Sequence, residues 1–156
     1  MNGPSLWPYA LEVYGRPGVE AALLQLQDRH GQCVPYLLWA LWLAAEGRPA
    51  DDGVLAGGAE LARAWQDAAV APLRGLRRSL KSPPAKGPKR AWEGLRAGVR
   101  ALELDAERRL LEMLEAASPA GGAQPGDPLA SLQRAVGAWG EGAPAPLLER
   151  LAAAAR

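Results

Sequence analysis

From Cys33 to Ala45 the chain reads CVPYLLWALWLAA, thirteen residues without a charge. From Tyr36 onward no polar group interrupts it apart from the tyrosine hydroxyl and the indole N–H groups. A helix that is apolar all round has to be covered all round. Immediately before it, Gly18 to His30 places Val19, Ala22, Leu23 and Leu26 on one face and polar residues opposite, with Gly31 as a C-terminal stop. A one-faced helix beside an all-apolar one needs further partners on several sides. The run is too short to span a bilayer, which takes ~20 apolar residues, so it reads as core.

Composition says what the partners are. The chain of 156 residues has no Ile, Thr or Phe and only seven Val, against a large excess of Ala and Leu. Strands favour the missing types and helices the abundant ones, which predicts an all-α fold: a single-domain helical bundle over residues 1–156 with a long antiparallel helical hairpin. This length can bury roughly two-thirds of the unfolded surface. Cys33 is the only cysteine, so no internal disulfide forms. The N-terminus has neither a basic n-region nor a continuous apolar h-region, and a reducing cytosol is the expected location.

Further elements follow from breakers and spacing. Ser5 suits the N-cap of a short helix to Tyr14. Asp51 and Asp52 start another through Leu55, which Gly57 and Gly58 should interrupt. A long helix from Ala59 to Leu80 then carries Leu61, Trp65, Ala68, Pro72, Leu73, Leu76 and Leu80, with a kink at Pro72. Thus residues 5–81 hold the N-terminal cluster and first long helix, and 82–88, SPPAKGP, form an exposed linker. Residues 89–117 form a second long helix of roughly 43 Å, striped by Trp92, Leu95, Val99, Leu102, Ala106 and Leu110. Past a Gly/Pro-rich loop, 128–156 holds two short helices, Pro128 to Trp139 and Pro146 to Ala155, expected to pack back on the hairpin.

The chemistry on offer is sparse. One histidine and one cysteine, His30 and Cys33, flank Gly31, and two such groups neither close a zinc site nor assemble a catalytic constellation. No catalytic residue, metal ligand set or cofactor is assigned. Asp28, on the last turn of its helix, is disfavoured by the dipole and calls for an arginine, Arg48 or one of Arg74 to Arg78. Trp39 and Trp42 read as core filler; with Asp28 and His30 they are also the residues from which a small-molecule pocket beside the central helix would be built.

Charge distribution supplies the strongest functional lead. Net charge is only +1, yet no acidic residue lies between Asp67 and Glu93, where seven of the eighteen basic residues fall: Arg74, Arg77, Arg78, Lys81, Lys86, Lys89 and Arg90. Such a concentration attracts anions. No aromatic residue interleaves with the run and no helix-turn-helix pattern precedes it, which sets nucleic acid behind an acidic protein as the partner. The reading is a non-enzymatic interaction or adaptor protein using this surface. A small-molecule binding protein and a nucleic-acid-associated protein are the alternatives, and oligomeric state is left open.

The segment SLWPYALEVYGRPGVEAALLQLQDRHGQCVPYLLWALWLAAEGR, continuing through VAPLRGLRRSLK, is similar to a family of conserved, uncharacterised proteobacterial proteins of about 160 residues. The resemblance is strongest from Ser5 to Lys81, weaker along the second long helix and faint after Ser118. It implies an α-helical cytoplasmic bacterial protein and supplies no catalytic residue, substrate or partner.

Overall fold

The apolar run forms α3 (Val34–Ala45), in which every residue from Val34 to Ala44 is buried. A computed structural model describes residues 3–82, 86–122 and 124–156. In chain order the other elements are α1 (Leu6–Tyr14), α2 (Val19–His30), α4 (Asp52–Trp65), a π-helical turn (Gln66–Val70), α5 (Ala71–Ser79), α6 (Lys89–Ala116), α7 (Pro128–Trp139) and α8 (Ala145–Ala154). The fold is all-α, with no strand among the described residues. Pro83 to Ala85 of the expected linker lie outside those residues.

Covering α3 are α1, α2, α4, α6 and α7, with α8 forming an outer layer on α2 and α7. Trp39, Trp42, Leu37, Leu41 and Leu43 are the bulk of the core, and full burial of each such side chain is worth roughly 1.5–3 kcal/mol. The polar groups along α3 itself are paired. The Tyr36 hydroxyl donates to the Leu55 carbonyl at 2.9 Å and Ser131 Oγ donates to the Ala40 carbonyl at 2.7 Å. The indole N–H of Trp39 donates to Ser118 Oγ at 2.8 Å, and that of Trp42 to the Pro4 carbonyl at 2.9 Å.

Local signals set most helix ends. Asp51 and Asp127 accept from backbone amides of the first turns of α4 and α7, and Gly31 and Gly140 take left-handed φ of 62° and 95° after α2 and α7. Ser5 sits at the N-cap of α1, but its side chain makes no capping bond. The Glu115 carboxylate of α6 instead accepts from the Leu6 amide at 3.1 Å.

Three expectations are corrected. Gly57 and Gly58 do not interrupt the chain, because α4 runs through them and the Trp39 ring rests where a Gly58 side chain would be. Packing outweighs the ~1 kcal/mol that each glycine costs a helix. The last two helices pack on α2, α3 and α4, α7 bringing Leu132, Ala135, Val136 and Trp139 to that side.

The third correction is the long helix from Ala59 to Leu80, which is two α-helices joined by the π turn. Here the Ala71 amide reaches the Gln66 carbonyl, five residues back. In a regular helix the Pro72 ring would press on the Ala68 carbonyl, and the wider turn relieves it. The extra residue rotates everything downstream by one position. Ala68, Pro72 and Leu76 of the expected stripe are exposed, while Val70, Leu73, Arg77 and Leu80 face inward. On α6 the inward set is Trp92, Arg96, Val99, Glu103, Ala106 and Leu110, so Leu95 and Leu102 lie outside.

Candidate functional site

Because Arg77 and Glu103 both turn inward, the contact between α5 and α6 is ionic at its centre. Glu103 accepts from Arg74 Nε at 3.0 Å and Arg77 Nε at 2.6 Å, and Arg74 also reaches Glu107 at 3.3 Å. Glu103 is 7 % exposed. Further toward the core, the Trp65 indole N–H donates to the Ala106 carbonyl at 2.8 Å. No residue of α5 itself is buried, so this cluster is the main specific attachment of that helix.

The cluster forms one side of a cleft of about 460 Å³ enclosed by α1, α2, α5 and α6, with the start of α3 at its base. Leu11, Leu24 and Leu104 line it and are 53 %, 39 % and 55 % exposed. Trp7, Val34, Leu38 and Leu111 extend the apolar wall, and Arg100, Tyr14 and Glu20 add polar groups.

Electrostatics separate the two carboxylates. Burial alone would push Glu103 up, but hydrogen bonds from Arg77 and Arg74, with their charges, hold it below the ordinary value of 4.5. Glu107 is raised, by burial first and by the Glu103 charge, with Arg74 only partly offsetting this. A lowered carboxyl stabilises the fold above its ordinary value and loses that contribution as pH falls through the lowered one; a raised carboxyl contributes below its ordinary value and loses it as pH rises through the raised one. Glu107→Gln, which can still accept from Arg74, is therefore expected to melt a few degrees above the parent at pH 7, the gain vanishing by about pH 4. Melting curves across pH 4–8 check this, and a variant less stable than the parent at pH 7 contradicts it.

The basic run splits in two. Arg74 and Arg77 are consumed by Glu103 and Glu107 and do not present their charge outward. Arg78 reaches across to Asp28 at 3.2 Å, the arginine that the Asp28 position calls for, with both side chains about half exposed. Lys89 lies 3.7 Å from Glu93. Lys81, Lys86 and Arg90 are exposed and make no ion pair with another described residue. Leu76, Leu95 and Leu102, 46 %, 53 % and 57 % exposed, stand on the same two helices.

The pocket residues expected beside α3 do not line the cleft. Trp39 and Trp42 are at most 1 % exposed, Trp39 against Gly58 and Trp42 beneath the Arg48 guanidinium at 4.3 Å. Asp28 is in its surface ion pair, and His30 ends α2 half-buried with no hydrogen bond to another described residue. Cys33 is 3 % exposed and burial pushes its thiol up to about 12, so it is no thiolate at neutral pH. Among the described residues no three His, Cys, Asp or Glu side chains group as a metal site, and no helix is long and apolar enough to cross a membrane.

Leu11, Leu24, Leu104 and Arg100 are the residues that sequence reasoning missed. Their only signal is negative: each is a large side chain placed off the apolar stripe of its own helix. Residues 5–114 match the model of a family described as protein of unknown function, DUF2390. No curated protein and no solved structure matches the chain.

Proposed function

Since the chain belongs to this family of unknown function, its role has to be read from its own surfaces, and we propose a non-enzymatic interaction protein of the cytoplasm that binds an acidic protein segment on the arm made by α5 and the first half of α6. The observation that carries this reading is the arm itself. Its α5 adds no buried residue to the core, yet α5, α6 and the segment between them present three exposed leucines and five exposed basic side chains, Arg78, Lys81, Lys86, Lys89 and Arg90. Exposed apolar side chains beside charge of one sign are the anatomy of a protein-binding surface, and a neighbourhood free of acids between Asp67 and Glu93 favours a negative partner and speeds its arrival.

Arg74 and Arg77 serve this surface indirectly, by fixing α5 on α6. The decisive variant therefore leaves them alone and replaces Lys81, Lys86 and Arg90 with Glu. Affinity capture with the parent is expected to retain an acidic protein that elutes as salt rises from 0.05 to about 0.5 M, where screening shortens to a few ångströms. The triple variant is expected to lose it at an unchanged melting temperature. Capture that survives the triple replacement, or preferential binding of duplex or single-stranded oligonucleotides over the captured protein, overturns the proposal.

A further inference from the structure

The cleft takes most of its charged side chains from α5 and α6 and carries chemistry that the exposed basic residues of the arm do not use. Three of the six large hydrophobic side chains exposed among the described residues, Leu11, Leu24 and Leu104, come from three different helices and converge on it. Its volume of about 460 Å³ falls inside the range of roughly 300–1,000 Å³ typical of small-molecule sites. Apolar walls alone would not say what enters, but the hydrogen-bonding inventory does.

Each guanidinium has five N–H donors. Arg74 and Arg77 use their Nε and Nη2 groups on Glu103 and Glu107, which leaves Nη1 of both without a partner among the described residues. Arg100 makes no hydrogen bond or ion pair with any of them. On the acceptor side, both oxygens of Glu103 and one of Glu107 are already taken by those arginines. The three arginines of the lining are matched in number by Glu20, Glu103 and Glu107, but Arg100 alone of the three has no carboxylate partner among the described residues, and such a donor beside apolar side chains fits a ligand with one anionic head and an apolar body.

We propose that the cleft binds a small amphipathic carboxylate, its head on the Arg100 guanidinium and its apolar chain along Leu11, Leu24 and Leu104. Leu24 and Leu104 approach the cleft from opposite sides, α2 and α6, so the chain would replace water on both.

Isothermal titration of the full chain with decanoate below its micelle concentration tests this, with decanol and decylamine as head-group controls and acetate as the control for the tail. Decanoate is expected to bind at least tenfold more tightly than either control of equal length, and acetate not measurably. Arg100→Gln, an exposed substitution, is expected to cost decanoate tenfold or more while leaving decanol unchanged. Leu24→Glu is expected to weaken both. Equal affinity for decanoate and decanol, tighter binding of decylamine, or indifference of decanoate to Arg100→Gln overturns the proposal. So does a concentration-dependent dimer that excludes decanoate and that Leu24→Glu dissociates, since a second copy would then occupy the cleft.

Discussion

Trp39→Ala is expected to lower the thermal midpoint by roughly 6–20 °C, because emptying a large buried aromatic site costs about 3–5 kcal/mol and each kcal/mol is worth roughly 2–4 °C in a chain of this length. The size follows from how little around the ring can move in to replace it. Trp39 is 1 % exposed and stacks at a tilt on Tyr36, with centroids 5.6 Å apart. Its far edge lies on Gly58, which has no side chain to advance into the space. Its indole N–H donates to Ser118 Oγ, which in turn donates to the Leu114 carbonyl at 2.6 Å, so this side chain adds a polar tie between the end of α6 and the centre of the molecule. Calorimetric melts of parent and variant measure the effect, and a drop under roughly 4 °C, about 1 kcal/mol, would mean that the core refills.

Glu103→Ala is expected to cost about 2–3 kcal/mol, toward the lower end of what removal of one partner from a buried ion pair costs, because Arg74 and Arg77 keep some contact with water. Arg77 would be left without its carboxylate and Arg74 with Glu107 alone, and α5 would lose its main anchor. The loss should be local as well as global. Amide exchange is expected to accelerate across residues 71–79 well before it does in α3. The triple variant Glu103→Met, Arg74→Met, Arg77→Leu should recover most of the stability, since well-packed apolar residues can replace a buried charge cluster without loss. A single variant that melts like the parent would show that α5 is held by something other than this cluster.

Much of the fold is readable from local patterns. The thirteen-residue run between Cys33 and Ala45 demanded a covered helix, and Gly31 and Pro35 placed its approach. The second long helix was expected over 89–117 and spans Lys89–Ala116. What local patterns missed has a common physical origin, namely that a neighbour distant in the chain decided the outcome. Gly57 and Gly58 look like a break until Trp39 is set against them. Leu102 and Glu103 are adjacent candidates for one inward position, and a hydrophobic count prefers leucine because it cannot see two arginines waiting on another helix. Pro72 announces a disturbance but not the additional residue accommodated upstream of it. The cleft draws one part of its lining from Trp7 to Leu38 and the other from Arg74 to Leu111, and a local pattern does not show that these two stretches meet.

The π turn at Gln66–Val70 makes the outward chemistry of the arm a matter of counting rather than of composition. With these residues all kept but wound as an uninterrupted α-helix, every position downstream would turn by one, hiding Leu76 and swinging Arg77 away from its carboxylate toward water. Loss of one residue within Gln66–Val70 would by contrast close the bulge and leave Arg77 turned toward Glu103, so the orientation of the arm depends on the winding of this turn and not on its composition.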